Sequence, residues 1–135
     1  MHLCAGSVDD GITVDLNPAT RPHVVADATR LPFRDRTFDT VIADPPYSPE
    51  MAENLYATPY LSVPKLLKEA ARVVKPGGYV LLLDLRTWPP PDELRWRGLV
   101  AIYTANRGAK PLRALSVFIR RDGQEHSLDN WGKNP

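Results

Sequence analysis

The sequence holds a single cysteine, Cys4. One thiol cannot build an internal disulfide framework or a Cys-rich metal site, so no metal centre is expected. An excess of charge of one sign is lacking too. Lysine and arginine number 17 against 16 acids, a formal net charge of +1. No strong field therefore advertises a polyanionic partner. The basic residues are nonetheless skewed. Twelve of the 17 are arginine, the better bidentate ligand for phosphate. No apolar run is long enough to span a bilayer, and no signal peptide is expected. The resulting expectation is a soluble, cytoplasmic protein with no membrane partner. Internal repeats and low-complexity linkers are absent, and 135 residues suffice for one domain. Prolines, by contrast, are abundant. There are 14, clustered at the edges of apolar runs as punctuation.

Two of those prolines stand in Asp44-Pro45-Pro46-Tyr47, directly after the apolar run Phe38-Asp39-Thr40-Val41-Ile42-Ala43. A strand should therefore end in a stiff, polar, aromatic loop. The prolines fix φ and remove two backbone donors, so their carbonyls accept hydrogen bonds in a preset direction. Asp44 adds a carboxylate acceptor, and Tyr47 a flat face for stacking. Acceptors converging beside an aromatic plane suit a planar ring with an exocyclic NH2 group. The plainer reading is a Pro-rich turn that caps a strand.

The apolar runs fall at residues 2–5, 12–16, 23–26, 38–43, 79–85, 99–103 and 114–119. Most are β-branched or Leu-rich and nearly continuous, as buried parallel strands should be. One amphipathic helix is expected after Ser62, its N-cap, with Pro64 in the first turn. Val63, Leu66, Leu67, Ala70 and Val74 share a face, and Pro76-Gly77-Gly78 should stop the helix. A second, shorter helix is expected near Pro91, with Asp92 and Glu93 at its positive end. Residues 123–135, with Trp131, read as a tail behind a domain over 1–122. Only Val8-Asp9-Asp10-Gly11 or so separates the first two strands. A parallel return usually needs a helix and a dozen residues. Asp10-Gly11 is also a hairpin signal, which would make the pair antiparallel. The extended parallel return is preferred, because it keeps Asp15 and Asp27 at successive strand ends.

Taken in order, these segments resemble the amino-group methyltransferases, which use S-adenosyl-L-methionine to methylate adenine N6, cytosine N4 or related amide nitrogens. Asp44-Pro45-Pro46-Tyr47 is similar to their catalytic loop. Leu3-Cys4-Ala5-Gly6-Ser7 resembles the first strand with its glycine loop. Thr13 to Pro18 and Val24 to Ala28 resemble the second and third strands with their acids. Leu66 to Asp84 resembles the helix, turn and fifth strand of small methyltransferases. The resemblance implies a reduced Rossmann-like, class I α/β fold: a mostly parallel seven-stranded sheet with few helices. It implies that Asp15 accepts the ribose hydroxyls and Asp27 the adenine amino group, with Ala28 N–H donating to the ring. Leu16, Leu31 and Phe33 would sandwich the adenine. Gly6 would let the backbone approach the methionine end closely, and Cys4, Ala5 and Asp44 would also bind the cofactor. The glycine loop departs from the family pattern, because His2 and Val8 stand where an acid and a second glycine are usual.

The implied reaction is methyl transfer to an exocyclic amino group of a nucleic-acid base, adenine N6 in DNA ahead of RNA. Asp44, Pro45, Pro46 and Tyr47 would be the catalytic residues, with Asp44 and the Pro45 carbonyl holding the amine. Tyr56 and Tyr60 are available for stacking, and Arg86, Arg95, Trp96 and Arg97 for phosphate and base. A small-molecule or protein-amide methyltransferase is the alternative, suggested by Asp27 through Asp39. A cofactor-binding protein without catalysis is a third, suggested by Val8. A sheet face without its helices should be apolar and uncovered, so a homodimer is expected.

Overall fold

The computed structural model describes residues 1–103 and 112–122. The tail expected over 123–135, with Trp131, lies outside them. Seven strands form one sheet: β1 (His2–Leu3), β2 (Thr13–Asp15), β3 (Val24–Val25), β4 (Phe38–Ala43), β5 (Val74–Asp84), β6 (Leu94–Ile102) and β7 (Arg113–Arg120). Their order is β3-β2-β1-β4-β5-β7-β6, and β7 alone runs antiparallel to its neighbours. Two α-helices are present among the described residues, α1 (Pro49–Tyr56) and α2 (Val63–Val73). Each expected strand is present, and β1 pairs with β2 in parallel. The extended return is therefore the one formed, not the hairpin. Left-handed backbone at Cys4, Gly6 and Gly11 (φ 54°, 52° and 66°) winds the chain back without a helix.

Three expectations need correction. Helix α2 ends at Val73, before Pro-Gly-Gly, and Val74 already pairs with Phe38 in the sheet. Pro76-Gly77-Gly78 instead forms a bulge inside β5, between the pairs Phe38–Val74 and Thr40–Tyr79. Only glycine fits at 78, because a Cβ there would lie 2.6 Å from the Asp39 carbonyl oxygen. No helix forms near Pro91. Leu94 N–H closes a turn on the Pro91 carbonyl, and buried Leu94 opens β6, which pairs along β7. Sheet pairing outweighs a short acidic helix start that no apolar face follows. Conversely, α1 forms where the sequence reading places no helix. Ser48 caps it through Met51 N–H at 3.2 Å, and Pro49 and Glu50 open it, a start signal that was legible.

The core lies between α2 and one sheet face. Val63, Leu66, Leu67 and Ala70 pack over Val41, Val80, Leu82 and Phe118, all fully buried or nearly so. Two arginines hold the helix in place. Arg120 of β7 donates to the carbonyls of Ala71, Arg72 and Val74, acceptors that the helix end leaves without partners. Arg72 clamps the long connection from β3 to β4, where no helix stands. Its guanidinium donates to the Leu31 and Phe33 carbonyls and to Asp35 and Glu69. Glu69 in turn accepts from Leu31 N–H at 2.8 Å. Arg72→Met should therefore destabilise the domain by about 2–4 kcal/mol, since several bonds to a charged group are lost together. Urea unfolding checks this, and a loss below about 0.5 kcal/mol would remove the clamp from the account.

The opposite sheet face carries Ile42, Leu81, Leu83, Leu115, Val117 and Ile119, all half-buried, with Tyr79 and Val100 exposed. No helix among the described residues is long and apolar enough to cross a membrane.

Candidate functional site

A cavity of about 550 Å³ opens at the carboxyl ends of β1, β2, β3 and β4. This is where an open parallel sheet places its ligands. The sheet brings Cys4, Ala5, Gly6, Asp15, Leu16, Asp27, Ala28, Asp44 and Pro46 into its wall, from four separate stretches of sequence. Asp15, the last residue of β2, is held by two backbone donors. Gly6 N–H reaches its Oδ2 at 2.9 Å and Asn17 N–H its Oδ1 at 2.8 Å. One carboxylate thus ties the glycine loop to the end of β2. Asp27 Oδ1 accepts from both Thr29 N–H and Thr29 Oγ1, each at 2.8 Å.

Other expected residues lie elsewhere. Leu31 is buried in the core, and Phe33 packs edge-on to Phe38 at 5.0 Å, so neither lines the cavity. Arg72 and Glu69 pull their segment onto α2, away from the cavity. The flanking positions are taken by Leu16 and Ala26, and by Tyr56 and Tyr60 from the stretch after Tyr47. Those two tyrosines, read from sequence as an acceptor platform, belong to the wall of this cavity. Their link to it is Asn17 Nδ2, which donates to the Tyr56 carbonyl at 3.5 Å. Pro45 and Tyr47 also stand outside the cavity wall. The Tyr47 hydroxyl turns back and donates to Asp44 Oδ1 at 2.9 Å.

Burial sets the protonation states here. The Cys4 thiol is pushed up to about 12, first by burial and then by the charges of Asp15, Asp44 and Asp27. It stays protonated, a packing thiol with no nucleophilic character. The Tyr47 hydroxyl is raised to about 12, again mostly by burial, and so keeps its proton. Asp44 is exposed as a residue, but partial desolvation of its carboxyl raises it as well, and Asp84 adds to the rise. The Tyr47 hydrogen bond and the charge of Arg113 oppose it. Arg113 and Asp84 were not singled out from sequence for this site. Asp84 is buried at the end of β5 and accepts from Leu85 N–H and Trp88 Nε1.

A carboxylate whose two oxygens are each oriented by a backbone N–H, beside a glycine with φ of 52° and open space at its missing Cβ, fits a ribose diol and the chain beyond it. With the strand order and the rigid loop after β4, these features define a class I, Rossmann-like methyltransferase fold. Residues 12–82 match the family described as the methyltransferase domain, and the chain belongs to that family. S-adenosyl-L-methionine is its cofactor.

Among curated relatives, the chain is 37% identical over 93 residues to phthiotriol/phenolphthiotriol dimycocerosates methyltransferase 1 of Mycobacterium ulcerans. That match covers 69% of this chain and 27% of the relative. It is 34% identical over 113 residues to a fatty-acid O-methyltransferase of Mycolicibacterium smegmatis, covering 84% of this chain and 36% of the relative. The chain thus spans about a quarter to a third of the length of these relatives. Among solved structures, TrmN from Thermus thermophilus superimposes with a TM-score of 0.63 at 18% identity. It covers 88% of this chain and 42% of that one.

Proposed function

We propose that the domain transfers a methyl group from S-adenosyl-L-methionine to the amino nitrogen of a planar acceptor, foremost adenine N6 in DNA and next a base in RNA. The observation that carries this reading is Asp44. It stands in the cofactor cavity wall at the end of β4, with Oδ1 engaged by Tyr47 and set between two rigid prolines and the strand. The cofactor supplies an electrophilic methyl group, so the protein must only align the nitrogen lone pair with it. An aromatic amine delocalises that lone pair into its ring. Asp44 Oδ2 and the Pro45 carbonyl, accepting from the NH2, localise it and offset the developing positive charge. Asp44 need not be a strong base, because the proton becomes acidic once the methyl has moved. A base in a duplex would have to leave the stack to reach this edge.

The names of the curated relatives favour a second reading, a lipid or fatty-acid acceptor. The two readings separate at the acceptor atom. Label transfer from radioactive S-adenosyl-L-methionine should be measured on single-stranded DNA, RNA and a fatty-acid pool. N6-methyladenine is the expected product. Label found only in alkali-labile esters would overturn the amino reading in favour of the carboxyl one.

We propose a homodimer as well, formed across the sheet face opposite α2. Ile42, Leu81, Leu115 and Val117 present contiguous apolar surface there, with Val100 50% exposed beside them. A monomer seldom leaves such a face wet. Light scattering at micromolar concentration should report twice 15.1 kDa, and a clean 15.1 kDa species would refute the dimer.

A further inference from the structure

Arg113 is the first residue of β7, and β7 is the antiparallel strand. Its start therefore lies at the same edge as the ends of β4 and β5. Ala114 pairs with Asp84, and one strand further on Leu82 pairs with Ala43, the residue before Asp44. A basic side chain from near the end of the chain is thus delivered to the acidic rim of the site. It hydrogen-bonds to Tyr47, whose hydroxyl donates to Asp44 Oδ1 at 2.9 Å.

The direction of this chain of bonds is forced. A guanidinium can only donate, so the Tyr47 oxygen accepts from Arg113. The tyrosine proton must then point to Asp44. We propose that Arg113 is a positioning residue for methyl transfer: through Tyr47 it fixes the Asp44 carboxylate with Oδ1 occupied and Oδ2 presented to the acceptor N–H. This rests on the reading of Asp44 as the group that holds the acceptor amine. It also gives Tyr47 a part other than stacking.

The electrostatics agree. Partial desolvation disfavours the Asp44 charge, and Asp84 on β5 repels it. Arg113 and Tyr47 favour it. The other titratable groups in the cavity wall are Cys4 after β1, whose thiol stays neutral, the acids Asp15 and Asp27 after β2 and β3, Tyr56, Tyr60, and Lys65 of α2. Removing Arg113 should therefore raise the Asp44 pKa further. Ionised Asp44 is the stronger acceptor and the only form that carries the charge needed to offset the developing cation, so the acidic limb of the kcat/KM profile should move to higher pH.

The experiment compares Arg113→Met, Arg113→Lys and Tyr47→Phe with the parent chain. The carboxyl carbon of Asp44 is titrated by 13C NMR, with Asp44→Asn for assignment. Cofactor affinity is measured by calorimetry as a check on folding. Arg113→Met should raise the Asp44 titration midpoint, and Arg113→Lys should restore part of the shift. Near neutral pH, kcat on the amino acceptor should fall about tenfold with KM little changed. Tyr47→Phe combined with Arg113→Met should cost no more than the worse single change, because both break one relay. An Asp44 titration indifferent to Arg113, or activity and cofactor affinity lost in parallel without a pH shift, would overturn the proposal. A parent chain that methylates no amino acceptor would defeat the acceptor reading instead, and the titration shift would still report the relay.

Discussion

Replacing Asp44 by alanine is expected to abolish methyl transfer, by about a thousandfold or more, while cofactor affinity stays within about threefold. The two quantities separate because of where Asp44 sits. It follows the last residue of β4, in the cavity wall, and its backbone N–H is already bound to the Leu3 carbonyl. Its side chain has one oxygen on Tyr47 and the other open to an incoming donor. Asp15 and Asp27, the acids proposed for the ribose and adenine, stand two and three strands away across the sheet. Alanine keeps the strand and the prolines, and so keeps the fold. It removes the charged acceptor proposed to localise the amine lone pair and to offset the charge formed as the methyl group arrives. Asparagine is the sharper test, since it preserves shape and loses charge. Single-turnover label transfer with cofactor binding measured in parallel decides the matter. Retained turnover in Asp44→Ala would remove the catalytic role of the loop.

The second large effect is expected at Asp15. Asp15→Ala should weaken S-adenosyl-L-methionine binding by about 3 kcal/mol or more, and Asp27→Ala by about 1.5–3 kcal/mol. Both acids face the same cavity, but their local duties differ. Asp27 closes a turn on Thr29, a short-range bond whose loss disturbs little beyond the turn. Asp15 joins the Gly6 N–H of one loop to the Asn17 N–H of another. Its removal frees the glycine loop, which is held by no crossover helix, and leaves two backbone donors unpaired. Loss of ligand contact and loss of preorganisation then add. Calorimetry on both variants is the measurement. Affinities for both within twofold of the parent would place the cofactor elsewhere.

Much of this architecture is legible in the sequence. Seven apolar runs mark seven strands, because a strand buried on one or both faces must be rich in Val, Ile and Leu. The periodicity of Val63, Leu66, Leu67 and Ala70 marks α2. The position of Asp15, Asp27 and Asp44 just after apolar runs places all three at one edge, since strands that run parallel end on the same side. Where two local signals competed, packing of the whole domain decided between them. Asp10-Gly11 permits a hairpin, yet β2 pairs in parallel, because only that register puts Val14 into the core beside Leu3. Pro76-Gly77-Gly78 is a helix terminator by composition, yet the helix is already over and the bulge serves β5. The Asp92-Glu93 start has no amphipathic run behind it, so pairing with β7 takes the segment into the sheet.

By itself the sequence determined the strand order in time, the main helix, the rigid loop after β4 and the acids at the strand ends that line the cavity, since each depends on neighbours within a few residues. Only the tertiary structure decided which side chains share the cavity. Leu31 and Phe33 follow Asp27 closely, yet Arg72, about forty residues later, draws them into the core. Tyr56 and Tyr60 line the cavity with Asn17, 39 residues before Tyr56, whose amide meets the Tyr56 carbonyl. Arg113 reaches Tyr47 because β7 runs against the other strands and so begins where they end. Contacts of that separation leave no periodic trace in a linear chain. They arise from sheet order and strand direction, which are properties of the whole packed domain.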